Sequence, residues 1–134
     1  DRCMKKANEE GVIRTKLGRK CRFSMWEPKD FGIHTPETFE NASAKYGRNN
    51  IKRAFTYKAL NRLIQGSAAD QTKQAIVHCA KIGFLPLLQI HDELCFNVNE
   101  EDVGKIKRAM ESCVELNVTS VVDVALGSNF GEAT

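Results

Sequence analysis

LLQIHDELCFNV, residues 87–98, sets three polar residues, His91, Asp92 and Glu93, between two short runs of strand-forming residues. LPLLQI before them and LCFNV after them suit a pleated, half-buried surface, and Asp is frequent in tight turns. The stretch therefore predicts a β-hairpin with its turn at the polar residues. Two readings of the adjacent carboxylates stay open on this pattern. In the first they are ordinary turn residues facing water. In the second the hairpin is a rigid support that holds carboxylates out toward a divalent cation. Oxygen donors of this kind suit Mg²⁺, which keeps several waters and takes only one or two protein carboxylates. The letters HDEL also spell an endoplasmic-reticulum retention signal, but that signal is read only at a C-terminus, and here they stand at 91–94.

On the C-terminal side of the hairpin, Asn99 is placed to cap a helix whose Val103, Ile106, Met110 and Cys113 repeat at helical spacing. SVVDVAL, residues 120–126, then predicts a closing strand. On the N-terminal side, Gly83 ends a region from about Asn50 to Ile82 that is mostly helical in composition. Within it, NRLIQGSAAD (61–70) carries Gly66, which weakens a helix, and Ser67 with Asp70, spaced as a capping box. That pattern predicts two helices or one bent one, with Asp70 available as a cap.

Farther upstream, Thr35 followed by Pro36 marks a helix start and Gly47 a stop. SMWEPKDFGIHTPETF (24–39), with Pro28, Gly32 and Pro36, predicts an irregular connection in which Trp26 and Phe31 serve as core or loop anchors. Residues 2–10 have the character of a helix end. GVIRTKL (11–17) alternates as a half-buried strand does, Gly18 turns it, and CRF (21–23) returns as a second strand. The expected fold class is α+β, an antiparallel sheet with helices packed on one face. Its parts are a helix end and basic hairpin (1–23), an irregular connection (24–49), and helices, hairpin, helix and strand (50–134).

Composition limits the function classes. The chain has 134 residues, 42% hydrophobic and 28% charged, enough for one domain with a core. It begins with Asp1 rather than Met, from which a processed or excised piece is expected. No apolar run approaches the roughly 20 residues of a membrane helix, so no membrane partner is expected. Five cysteines, Cys3, Cys21, Cys79, Cys95 and Cys113, are odd in number and lack a C-x-x-C pair. They are expected to be reduced, mostly buried thiols of an intracellular protein. The net charge of +3 does not by itself demand a nucleic-acid partner, though basic residues gather in RTKLGRKCR (14–22) and NNIKRAFTYK (49–58).

Taken in order, GVIRTKLGRK (11–20), ALNRLIQGSAAD (59–70), LLQIHDEL (87–94) and VVDVALGSNFGE (121–132) resemble the C-terminal part of the polymerase domain of family A DNA polymerases, the bacterial polymerase I and phage type. The resemblance covers nearly the whole chain apart from about residues 24–48. A Q-G-[ST]-A-A-D segment about twenty residues before an H-D-E turn is a far rarer coincidence than either motif alone.

The resemblance implies roles for individual residues. Asp92 and Glu93 match the acidic pair of a polymerase motif, in which the Asp binds catalytic Mg²⁺ and the Glu supports it. His91 matches a histidine beside the primer terminus. Asn61 and Gln65 match residues that touch the minor-groove side of the duplex near its growing end, where acceptors common to all base pairs allow shape to be checked without reading sequence. Gly18, Arg19 and Lys20 match the start of a basic turn, with phosphate contact implied for Arg19 and Lys20. The chain also departs from the pattern. Tyr57 stands where an arginine is usual, Cys21 where a further arginine is common, and Asn97 where an acidic residue is frequent.

The implied function is part of a DNA-directed DNA polymerase working by a two-metal mechanism, in the cytoplasm of a bacterial or phage-infected cell or in an organelle. The implied partners are primer–template DNA, deoxynucleoside triphosphates, and the rest of the polymerase in the same or another chain. One carboxylate pair cannot hold two ions, and no stretch matches the family's other metal-binding Asp or its triphosphate-gripping Lys and Arg. The chain is therefore expected to hold part of an active site, and to be inactive and marginally stable alone. Two alternatives stand beside this. One is a non-catalytic module that binds duplex DNA or a partner. The other is a small Mg²⁺-dependent nuclease, which would need further acids, whereas Glu100, Glu101 and Asp102 lie where a helix start explains them.

Overall fold

Alternation of short helices with paired three-residue strands defines the architecture seen in the computed structural model, which describes residues 2–133. The chain divides into two compact units after Ser67. The class is α+β, with every strand pair antiparallel, as the sequence predicts. Among the described residues the strands are distributed over three separate two-stranded ribbons.

In the first unit, helix α1 (Arg2–Glu10) buries Ala7 and stops at Gly11, whose φ of 68° few other residues adopt readily. Strands β1 (Val12–Arg14) and β2 (Lys20–Arg22) pair with Ile13 opposite Cys21, and Gly18 turns the chain at φ 88°. Alternation along β1 buries Ile13, and Phe23 follows β2 inward. These two side chains form a core with Ala7 and Ala59, lined by Cys3, Cys21 and Leu63.

Within residues 24–49, the expected connection, the segment from 29 to 37 is without helix or strand, and two elements flank it. Strand β3 (Trp26–Pro28) pairs with β4 (Ile51–Arg53), and helix α2 (Phe39–Tyr46) lies between them in the chain. Helix α2 begins after Thr38, whose hydroxyl accepts from Asn41 N. It does not begin at Thr35 because Glu37 exchanges two backbone hydrogen bonds with Trp26, which keeps that segment extended. Gly47 ends it, as predicted. Trp26 is an anchor, with its ring 5.0 Å from that of Phe39 and the Arg53 guanidinium 4.6 Å above it. Phe31 is not an anchor, being 107% exposed in a loop.

Helix α3 (Ala59–Lys81) is a single 23-residue helix. Its start at Ala59 leaves Ile51–Arg53 to β4, where cross-strand pairing overrides helical composition. Gly66 does not interrupt it. A Cβ there would lie 2.9 Å from Thr15 Cγ2, so the glycine permits close approach of the β1–β2 turn. The capping box is not formed either, since Ser67 Oγ donates to Leu63 O and accepts from Lys16 N, and Asp70 is buried inside the helix.

In the second unit, β5 (Leu88–Ile90) and β6 (Glu93–Cys95) form the predicted hairpin after Gly83. Helix α4 (Glu100–Glu111) starts at Asn99 as expected; Asn99 has the extended backbone of an N-cap but its side chain makes no capping hydrogen bond, and three acids lie in the first turn. The core joins Ala75 of α3 to Cys113 and Val114, with Leu94, Met110 and Leu116 packed against them. SVVDVAL is not a strand. It has the alternation but no neighbouring edge among the described residues, and Val121 is 71% exposed. Two contacts fasten it, Gln71 Nε2 to Ser120 Oγ at 2.7 Å and Val122 N to Glu111 Oε1 at 3.0 Å.

Candidate metal-binding hairpin and nucleic-acid interface

Ile90 pairs with Glu93, so only His91 and Asp92 lie in the turn between β5 and β6. His91 has φ 53° while Asp92 does not enter the positive range, the sign pattern of a type II′ hairpin turn. Such a turn matches the twist of the flanking strands, at the expense of a left-handed backbone at a non-glycine residue. Gln89, which the sequence reading left without a role, donates from Nε2 to His91 O at 3.0 Å and braces the turn. Its part depends on hairpin register, which the letters alone do not display.

Asp92 sits exposed at the tip, and Glu93 is exposed at the start of β6. Among the described residues neither carboxylate is in an ion pair. Two adjacent, unneutralised carboxylates on a braced two-residue turn fit a hard, partly hydrated cation. Among the described residues no group of three or more His, Cys, Asp or Glu is placed to hold a metal ion.

The other predicted residues lie in the first unit. Asn61 and Gln65 are exposed on α3 one helical turn apart, so they share a face. Arg19, in the β1–β2 turn, donates from Nη2 to Gly66 O, and its backbone N–H donates to Thr15 Oγ1 at 3.0 Å. The turn is also fixed to α3 by Lys16 N to Ser67 Oγ at 3.3 Å. Lys20 is exposed at the start of β2. Tyr57, at the departure from the family pattern, is exposed with the Lys58 ammonium 5.5 Å from its ring.

Charge is divided as sharply as the fold. Residues 1–67 carry fifteen Lys and Arg against seven Asp and Glu, whereas residues 68–134 carry five against ten. The modest total conceals a strongly basic half suited to a polyanion and an acidic half that contains the hairpin.

The sequence profile of DNA polymerase family A matches residues 1–132. The chain belongs to DNA polymerase family A. It is 38% identical over 132 residues to a DNA-directed DNA polymerase of Pseudomonas phage M6, an alignment covering 98% of the chain and 17% of that protein. To DNA polymerase I of Pseudomonas aeruginosa it is 29% identical over 143 residues, covering 99% of the chain and 14% of the relative. Among solved structures, the polymerase domain of Pol1 from M. smegmatis in complex with DNA primer–template and dNTP matches with a TM-score of 0.59 and 27% identity, over 88% of the chain and 19% of that one. The family A segment described here therefore spans less than a fifth of these relatives' length. Among the described residues no helix is long and apolar enough to cross a membrane.

Proposed function

We propose that the chain is the part of a DNA-directed DNA polymerase that presents a metal-binding carboxylate and holds the growing end of a primer–template duplex. The observation that carries this is Asp92 at the tip of a braced hairpin, outside any ion pair among the described residues, in a chain that belongs to family A. Asp92 is the metal ligand and Glu93 supports it. Mg²⁺ held there would supply part of the charge stabilisation that an in-line displacement at phosphorus needs. The remaining work falls to the chain's own residues. His91 abuts the primer terminus, Asn61 and Gln65 test the minor groove, and Arg19 and Lys20 hold phosphates. The arrangement of basic and acidic halves supports duplex contact through the first unit.

The rest of the polymerase, whether in the same or another chain, supplies the second metal-binding carboxylate and the cationic grip on the deoxynucleoside triphosphate. It also supplies an edge for the strand-like but unpaired residues 120–126. The test is single-turnover extension of a primed template by the complete enzyme carrying Asp92→Ala. We expect the chemical step to fall by orders of magnitude with the fold intact, and a loss under about tenfold would sink the metal-ligand role.

A second reading is a non-catalytic module that binds duplex DNA or a partner, and the surplus of basic residues in the first unit is the observation that favours it. Primer extension by this chain, by the complementary part, and by the two mixed separates them. Synthesis restored on mixing supports the polymerase, and duplex binding without restored synthesis supports the module.

A further inference from the structure

The segment between β3 and α2 carries the two most exposed large apolar side chains among the described residues, Phe31 at 107% and Ile33 at 105%. A lone exposed apolar residue means little, but these two are held out by a loop with a built backbone. Its base is closed where Glu37 exchanges two backbone hydrogen bonds with Trp26 and where Lys29 N donates to Asn50 O at 2.8 Å. Between those points Asp30 Oδ1 accepts from Gly32 N at 3.0 Å and from His34 Nε2. The His34 ring stands edge-on to that of Tyr46 in α2, with 5.9 Å between centroids. Only glycine fits at 32, because a Cβ there would lie 2.6 Å from His34 Nε2 and would displace the imidazole.

The uncompensated charge around this loop is cationic. Its acids are engaged: Asp30 in the contacts just given, Glu27 with Lys52 at 3.7 Å, and Glu37 with Lys45 at 3.0 Å. Glu40 lies in the first turn of α2, where the positive end of the helix favours an acid. Lys29 and Arg48 are exposed, and among the described residues neither is in an ion pair. Lys29 Nζ donates to Asn49 O at 2.8 Å, which holds the ammonium at the foot of the loop, against the turn 48–50 that carries Arg48. Apolar side chains at the tip and uncompensated cations at the foot suit a segment that combines apolar and acidic residues.

We infer that the Lys29–Thr35 loop docks an acidic, apolar segment of a partner protein, with Phe31 and Ile33 as the anchors and Lys29 and Arg48 facing the acids. Buried apolar anchors supply affinity in such an interface, and the charges supply orientation. Asp30, Gly32 and His34 set the shape of the loop before anything binds, so little order is lost on docking. The position favours a partner outside the enzyme over the enzyme's own remaining part, since the stretches that resemble the polymerase family, 11–20 and 59–70, lie on either side of the loop and leave it out. Docking here does not depend on catalysis at Asp92, and the two can fail separately.

The experiment selects random peptides of about 12 residues, displayed on phage, against the complete enzyme, with the double variant Phe31→Ser, Ile33→Ser as the counter-selection; a labelled selected peptide is then titrated by fluorescence anisotropy at about 50 and 150 mM salt. Enriched peptides should carry Asp or Glu beside an aromatic or branched apolar residue. We expect the double variant to weaken binding about thirtyfold. Lys29→Ala should cost about threefold at the lower salt and less at the higher. Gly32→Ala keeps both anchors but displaces the imidazole, and should cost about threefold. Lys5→Ala removes the same charge from α1 of the same unit, where it pairs with Glu9, and should cost less than about twofold. Primer extension by the double variant should stay within about twofold of the parent, as for a change on a free surface. No enrichment over the counter-selection, enriched peptides without acids, or Gly32→Ala binding as tightly as the parent would overturn the inference. So would a larger loss of primer extension, which would assign the loop to contacts within the enzyme. Displacement of the peptide by single-stranded or duplex DNA as effective as by the unlabelled peptide would overturn it in favour of nucleic acid.

Discussion

Gly66→Ala sets two effects of similar size against each other. Inside a helix, Ala is favoured over Gly by about 0.8–1.0 kcal/mol, and α3 runs unbroken through this position. Against that, the new methyl would lie 2.9 Å from Thr15 Cγ2. Thr15 is buried and β-branched, with a stiff χ1. Rotating it away would forfeit the bond its hydroxyl accepts from Arg19 N, worth about 1 kcal/mol net. Moving the turn instead is overpacking, which costs about 1–3 kcal/mol. The steric effect wins, and we expect Gly66→Ala to lower stability by about 1 kcal/mol in urea unfolding of the chain. Thr15→Ser removes the offending Cγ2 and keeps the hydroxyl, so the double variant should show a favourable coupling of about 1 kcal/mol relative to the two single changes. A Gly66→Ala protein more stable than the parent, or no coupling with Thr15→Ser, would refute the close-approach argument.

At the hairpin, His91→Val should destabilise by about 1–2 kcal/mol because a β-branched residue resists φ 53°, while His91→Asn should stay within about 0.5 kcal/mol; equal values in denaturant unfolding would remove the turn assignment. Hydrogen bonds from Gly32 N–H and from His34 hold the Asp30 carboxyl below its ordinary range. A lowered folded value stabilises above the ordinary range and is lost as pH falls through the folded value. Below about pH 4 the parent's thermal midpoint should therefore fall more steeply than that of Asp30→Asn, and parallel curves would exclude the contact. Burial pushes the Cys79 and Cys113 thiols up, with the nearby Cys113 adding to the effect on Cys79. A disulfide reagent at neutral pH should modify the half-buried Cys3, Cys21 and Cys95 first and reach the other two only on unfolding, a separation readable by mass spectrometry.

What the sequence displayed was local. The HDE hairpin, the α4 start at Asn99 and the stops at Gly47 and Gly83 each depend on neighbours a few residues away, and each stands where expected. What it hid was contact at a distance. Gly66 looks like a break until Thr15, fifty-one positions earlier, is seen to occupy the space its missing side chain leaves. Ile51–Arg53 carries helical composition but is claimed by Trp26–Pro28 across a whole intervening helix. Residues 120–126 show the opposite failure, since alternation announces a strand that only a neighbouring edge can make. In the site, Asp92 was visible as a letter, whereas the Gln89 brace required the register.

The two-residue turn is also a gauge of length. Ile90 and Glu93 face each other across it, and Leu94, next along β6, packs into the core of its unit. Because successive side chains alternate faces, one additional codon between 90 and 93 would send Leu94 outward and bring its neighbour in, re-aiming the carboxylates at the same stroke. For folding, the hairpin should therefore accept a change such as His91→Asn, which tolerates the left-handed backbone, while rejecting in-frame insertions and deletions of one triplet there, whatever residue they encode. A library that varies length and identity independently at this point would separate the two constraints.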